Sequence, residues 1–277
     1  MPASARQASL ITLLALASNI VSASAIMAQG DAKLKYYALV VGYTEYRQSR
    51  DKLQNPANDV GLLQSTFQSL DFDVSALINL TSNYYKESIR GFANRVAADK
   101  GPKIVAVYVA GHGVEIGSKN YIVPPDARPW LSERDAAREG LDVAELIKKV
   151  ASAKADASVF FFDICRSNPF GTDANIAKAG LGGMSARRFV PVGPKRQANI
   201  IISFATQPGG VAGDKGGDNY RNSPYAAALA ALLQGYSLSV DALLHELEAR
   251  VSVVTEGSQV PWSDSAYPER IILGRHR

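Results

Sequence analysis

The chain has 277 residues, 47% hydrophobic and 20% charged, a globular composition that excludes a disordered, collagenous or low-complexity protein. Thirty Lys and Arg against 26 Asp and Glu leave a net charge of +4, yet no run of cations with interleaved aromatic residues is present, so no nucleic-acid partner is expected. The single cysteine, Cys165, excludes an internal disulfide, a four-cysteine zinc site and an iron–sulfur cluster.

Residues 1–28 read as an export signal peptide that is not part of the fold. One cation, Arg6, precedes a mostly apolar stretch over 10–21, and Ala23-Ser24-Ala25 offers small residues for cleavage after Ala25, with a second cut available after Ala28. The apolar stretch is short for a bilayer span. The expectation is an exported protein, periplasmic or secreted, with no membrane span after signal removal; an uncut N-terminal anchor is the alternative.

Beyond the signal, short apolar runs alternate with helical spacing. Residues 36–41 read as a buried strand, and Asn55-Pro56 caps a helix with Val60, Leu63, Phe67 and Leu70 on one face. A strand over 72–78, a helix over 84–98 and a strongly apolar strand over 103–110 follow. Val143, Leu146, Ile147 and Val150 mark another helix, and 157–164 is the most apolar strand of all. An irregular connection over 166–197 leads to a strand at 199–204. Ser223-Pro224 and Ser239 cap two more helices, and 269–273 is predicted as the closing strand. Strands that are apolar on both faces and alternate with helices predict an α/β fold with a mostly parallel central sheet, here one domain over 35–274.

In such sheets chemistry collects beyond the carboxyl ends of the strands. Strand 103–110 empties into Gly111-His112-Gly113 and strand 157–164 into Cys165. If these strands are neighbours, an imidazole and the chain's one thiol face each other at a single sheet edge. A histidine beside a cysteine raises its thiolate fraction and can later protonate a leaving amine. Glycine on both sides of His112 lets backbone approach a substrate, and the N–H groups of Gly113 and Cys165 are the expected oxyanion donors. Taken singly, Cys165 reads as a small buried apolar group and His112 as a structural residue. Their placement 53 residues apart, at two strand ends, favours nucleophilic catalysis.

Tyr108-Val109-Ala110-Gly111-His112-Gly113, followed by Phe161-Phe162-Asp163-Ile164-Cys165-Arg166-Ser167, resembles the caspase-like peptidases, most closely their bacterial and metacaspase-type members. Asn58-Asp59, Asn120-Tyr121-Ile122-Val123-Pro124, Ser203-Phe204-Ala205-Thr206-Gln207-Pro208-Gly209, Asn222-Ser223-Pro224-Tyr225 and Gln259-Val260-Pro261-Trp262 are similar to further landmarks of the family, in order. The resemblance implies a three-layer α/β/α sandwich. Animal caspases carry glutamine two residues before the cysteine, in a pocket where arginine holds a substrate aspartate. This chain has Asp163 there, as metacaspases and paracaspases do, and Asp59 matches their second aspartate. Two carboxylates in one pocket favour a cationic side chain, so the resemblance implies substrate binding by Asp59 and Asp163 and cleavage after Arg or Lys. Asp214 either adds a third carboxylate or is a solvated turn residue, and Asp59 also reads as a first-turn acid on the helix dipole. The acidic run through which many metacaspases bind calcium is replaced by Val114-Glu115-Ile116-Gly117-Ser118-Lys119-Asn120, so calcium dependence is not carried over and no metal or organic cofactor is expected. His245-Glu246 lacks the second histidine of a zinc-protease pair, and a nucleotide-binding reading lacks its phosphate loop.

The expected protein is an exported cysteine endopeptidase, monomeric or homodimeric, with protein or peptide substrates bearing basic residues. The alternative is a catalytically weak caspase-like module that binds peptides or partners. The 166–197 connection carries Lys178, Arg187, Arg188, Lys195 and Arg196. In caspases the equivalent segment is cut to give two subunits, which marks this one as a candidate inter-subunit linker and self-cleavage site; a solvated basic loop is the plainer account.

Overall fold

The computed structural model describes residues 33–48, 51–130, 132–170, 199–214, 221–265 and 271–274. The signal expected over 1–28 and most of the candidate linker, from 171 on, lie outside these residues. The chain divides into a unit Met1–Leu34 and a unit Lys35–Arg277, and every element named below belongs to the second.

Five strands form the parallel body of a six-stranded sheet: β1 (Lys35–Gly42), β2 (Phe72–Ile78), β3 (Lys103–Gly111), β7 (Ala157–Ile164) and β8 (Asn199–Phe204). Their order is β2-β1-β3-β7-β8, with β9 (Trp262–Ser265) antiparallel at the edge. The sheet grows outward in one direction from β1 to β2 and in the other from β1 to β3, a reversal that opens a crevice at the carboxyl ends of the central strands. Every residue of β3 and β7 is buried, which is why these strands read as unbroken apolar runs instead of an alternation.

Helices cover both faces. Tyr37, Leu39 and Val41 of β1, Val105, Val107 and Val109 of β3, and Phe160 and Phe162 of β7 share one core with α2 (Ser82–Ala98) and α4 (Val143–Ala151). The opposite face meets α1 (Pro56–Ser69), which packs on β1 and β2 and against α5 (Pro224–Gly235); α5 in turn packs on α6 (Val240–Val254). The result is the three-layer sandwich that the resemblance implied. Pro56 at the start of α1 and Pro224 at the start of α5 occupy first-turn positions where a missing N–H costs nothing.

Two features differ from expectation. The closing strand is β9, Trp262–Ser265, while in the segment predicted as a strand, 269–273, the only described pairing is an isolated bridge from Ile272 to Ser239. An antiparallel edge strand is covered on few sides and needs no apolar run, so Trp-Ser-Asp-Ser escapes a hydrophobicity reading. The apolar Ile271 and Leu273 are buried without entering the sheet. Between β3 and α4 the chain also forms a small antiparallel sheet, β4 (Gly113–Ile116), β5 (Lys119–Ile122) and β6 (Leu141–Asp142), with a short helix α3 (Glu133–Glu139) before β6. Elements of two to seven residues are too brief to show a period.

Candidate active site

The register between β3 and β7 sets the geometry. Gly111 lies opposite Ile164, so His112 and Cys165 leave the sheet side by side at the next position of two adjacent strands. Both line one pocket of about 450 Å³. The glycines flanking His112 are required by their surroundings. Gly111 has φ +154°, and a Cβ there would stand 2.8 Å from the Tyr46 hydroxyl; a Cβ on Gly113 would stand 2.8 Å from both the Cys165 carbonyl oxygen and Ile164 Cβ. Gly113 therefore lets the histidine loop close onto the backbone of the cysteine.

The imidazole is held on several sides. Its Nε2 lies 2.7 Å from the carbonyl oxygen of Asp51, an acceptor, so Nε2 carries a proton and, in the neutral ring, Nδ1 holds the lone pair. The His112 N–H donates to the Tyr46 hydroxyl at 2.8 Å, and the two rings meet at 4.6 Å between centroids. The His112 carbonyl accepts from Val123 N–H at 2.9 Å. The thiol of Cys165 is half-buried and donates to the Ala212 carbonyl at 3.7 Å. Burial pushes this thiol up, and the charge of Asp163 adds to that. Thiol and imidazole are thus each held on a backbone carbonyl, and the thiol in this state is protonated.

The three acidic residues singled out in the sequence lie together. Asp163 sits two positions before Cys165 on the strand, its side chain on the α1 and α5 face of the sheet. Its Oδ2 accepts from the Tyr108 hydroxyl at 2.9 Å and the Ser223 hydroxyl at 2.5 Å. Asp59, from α1, accepts at Oδ1 from Asn222 Nδ2 at 2.8 Å and from the Ser223 N–H at 3.1 Å. Both carboxyls are buried, at 1% and 6% exposure. Burial, then the charge of Asp163, raises Asp59 to about 8; burial raises Asp163 to about 6 against the Ser223 and Tyr108 hydrogen bonds. Asp214 raises both from a little farther off, while its own carboxylate accepts from the N–H groups of Gln54 at 2.9 Å and Asn55 at 3.3 Å. The cluster has the charge to take a cation.

Residues to which the sequence assigns no role in the site hold this arrangement. Gln259 donates to the Ala205 carbonyl and accepts from Gly213 N–H, both at 2.9 Å, fixing the loop that carries Ala212 and Asp214. Arg166, next to the cysteine, is fully buried; its Nε donates to Glu115 Oε2 at 2.7 Å, its backbone N–H to the Gly210 carbonyl at 2.9 Å, and its guanidinium lies 4.4 Å over Phe204 and 5.1 Å over Trp262. Ser223 was legible as a helix cap and as part of the Asn222-Ser223-Pro224-Tyr225 landmark, without its carboxyl contacts. Asp51 acts through its carbonyl, which any residue supplies, so no sequence signal could have found it. Among the described residues no group of three His, Cys, Asp or Glu side chains is placed to hold a metal ion, and no helix is long and apolar enough to cross a membrane.

A histidine and a cysteine at the ends of adjacent strands in a mostly parallel sheet are the frame of the caspase-like cysteine peptidases. The family model described as caspase domain matches residues 35–271, and the chain belongs to that family. Among curated proteins it is similar to the human mucosa-associated lymphoid tissue lymphoma translocation protein 1, 30% identical over 174 residues, and equally to the mouse homolog. These matches cover 62% of this chain and 18% of the relatives' length, so the chain spans about a fifth of the curated relatives it matches. Among solved structures it is similar in fold to caspase-1 from Spodoptera frugiperda, with a TM-score of 0.61 and 17% identity over 89% of this chain and 94% of that one.

Proposed function

We propose that the chain is an exported cysteine endopeptidase that cleaves peptide bonds after Arg or Lys. The observation that carries this reading is the adjacency of two groups: the His112 and Cys165 pair at the ends of β3 and β7, and the Asp59, Asp163 and Asp214 carboxyls that begin two residues before the nucleophile. Nδ1 of His112 takes the thiol proton, and the Cys165 sulfur attacks the scissile carbonyl carbon. The carbonyl oxygen becomes an oxyanion that accepts from the N–H groups of Gly113 and Cys165. As the C–N bond breaks, His112 returns the proton to the leaving amine, and the acyl group stays on sulfur. Water, deprotonated by His112, then attacks the thioester; the acid leaves and the thiol is restored. A guanidinium or ammonium on the residue before the cut sits among the three carboxyls, where an anionic side chain would meet like charge.

The test is cleavage of short peptides with Arg, Lys or Asp before a reporter, by the wild-type chain from residue 29 on and by Cys165→Ala. Turnover after Arg and Lys that is lost in Cys165→Ala is the expected result. Cleavage after Asp would overturn the pocket assignment, and absence of turnover on any peptide or protein would leave a binding module.

A further inference from the structure

The pocket that His112 and Cys165 share extends away from the carboxyls: none of Asp59, Asp163 and Asp214 lines it. Its walls are mostly apolar, with Val114, Pro124, Pro129, Trp130 and Phe170. Trp130 and Phe170 pack on a small buried cluster of Val114, Tyr121 and Ala136, so the aromatic wall rests on the β4–β5 sheet and on α3. At about 450 Å³ the pocket falls within the range of about 300–1,000 Å³ typical of ligand sites. The indole N–H of Trp130 is buried and has no hydrogen-bond partner among the described residues.

We infer that this pocket is a second specificity subsite, which takes a large apolar or aromatic side chain from the residue immediately after the scissile bond. The inference rests on the peptidase reading above and goes beyond its preference for a basic residue before the cut. The direction follows from the proton path. His112 protonates the leaving amine, so the chain that departs with that amine must run past the imidazole, and this pocket is the space on that side, bounded by Tyr46, Asp51, Val123 and Pro124 around the ring. Charge at the pocket agrees. Among the described lining residues, Arg128 is engaged by Glu139 at 2.8 Å, and the other ionic side chains, Arg47 and Asp51, are of opposite sign. Burial of an aromatic side chain against Trp130 and Phe170 is then the main source of discrimination.

Internally quenched peptides of one length, with Arg fixed before the cut and Gly, Leu, Phe, Trp, Asp or Lys after it, test this in the wild-type chain, each cut site being located by mass spectrometry. Phe or Trp is expected to exceed Gly in kcat/KM by about tenfold or more. In Trp130→Ala the Phe-to-Gly ratio, internal to that variant and so insensitive to its folded fraction, should fall by about fivefold or more. A profile flat to within about twofold, or one led by Asp or Lys, overturns the subsite while leaving the peptidase reading intact. Failure to cut any peptide after Arg overturns the peptidase specificity instead, and the residue found after whatever bond is cut still decides the subsite. No cleavage at all removes both.

Discussion

Ser223 serves three groups at once. Its hydroxyl accepts from the N–H of Ala226 as the cap of α5 and donates to Asp163, while its own N–H donates to Asp59. Around it two buried carboxyls are expected to share one proton near neutral pH, because burial and mutual repulsion oppose ionising both without a cation between them. The sign of the linkage follows. Asp59 and Asp163 bind protons more tightly in the folded chain, at about 8 and about 6, than at the ordinary value of 3.8, so their stabilisation is complete below the ordinary range and is lost as pH rises to about 8. We expect Tm to fall between pH 5 and 8.5 and Asp59→Asn to flatten that slope; an equal slope in wild type and variant would remove the shared proton. A cation in the pocket reverses the preference. Agmatine, a small guanidinium probe, should displace roughly one proton on binding at pH 7, read by calorimetry in buffers of different ionisation enthalpy.

At the scale of elements, the site depends on how β4 closes against β7. Gly113→Ala places a Cβ against the Cys165 carbonyl and Ile164, so the shift it forces moves the very N–H groups proposed for the oxyanion. A loss of about 100-fold in kcat with KM little changed is expected; wild-type kcat would clear Gly113 of that role. Arg166 joins the two sheets, ion-paired to Glu115 of β4 and layered on Phe204 of β8 and Trp262 of β9. Burial pulls Arg166 down and pushes Glu115 up, each opposed by their pairing. Glu115→Ala strands that cation and should cost about 3–5 kcal/mol by chemical denaturation. The main strands were legible because burial on both faces writes itself as an apolar run, and the side-by-side placement of His112 and Cys165 because both follow the ends of such runs. Arg166 was not: a buried arginine is read as exposed until its partners on other strands are known. Ser223 and Gln259 were hidden for the same reason, as their contacts cross 60 and 54 positions of sequence.

Across the whole molecule, the three layers bring α1, the β3 and β7 ends and the start of α5 to one crevice, although these residues span from Asp59 to Ser223 in the chain. The proposed basic preference would extend to the chain itself, since Lys178, Arg187, Arg188, Lys195 and Arg196 carry the side chains it would select. Intact-mass analysis of wild type on incubation should show cuts after some of these residues that Cys165→Ala lacks; a wild-type chain that stays whole contradicts self-processing. Expressed with its first 28 residues in an export-competent bacterium, the chain should be recovered outside the cytoplasm beginning at Ile26 or Gln29.

The Asp51 carbonyl that fixes the tautomer of His112 belongs to the main chain. Replacing the Asp51 side chain leaves that oxygen in place, so a survey of point substitutions would pass over a group on which the proposed proton transfer depends. This part of the machinery is invisible to genetics, and only an edit of the backbone, such as an ester in place of an amide, would weaken it as an acceptor.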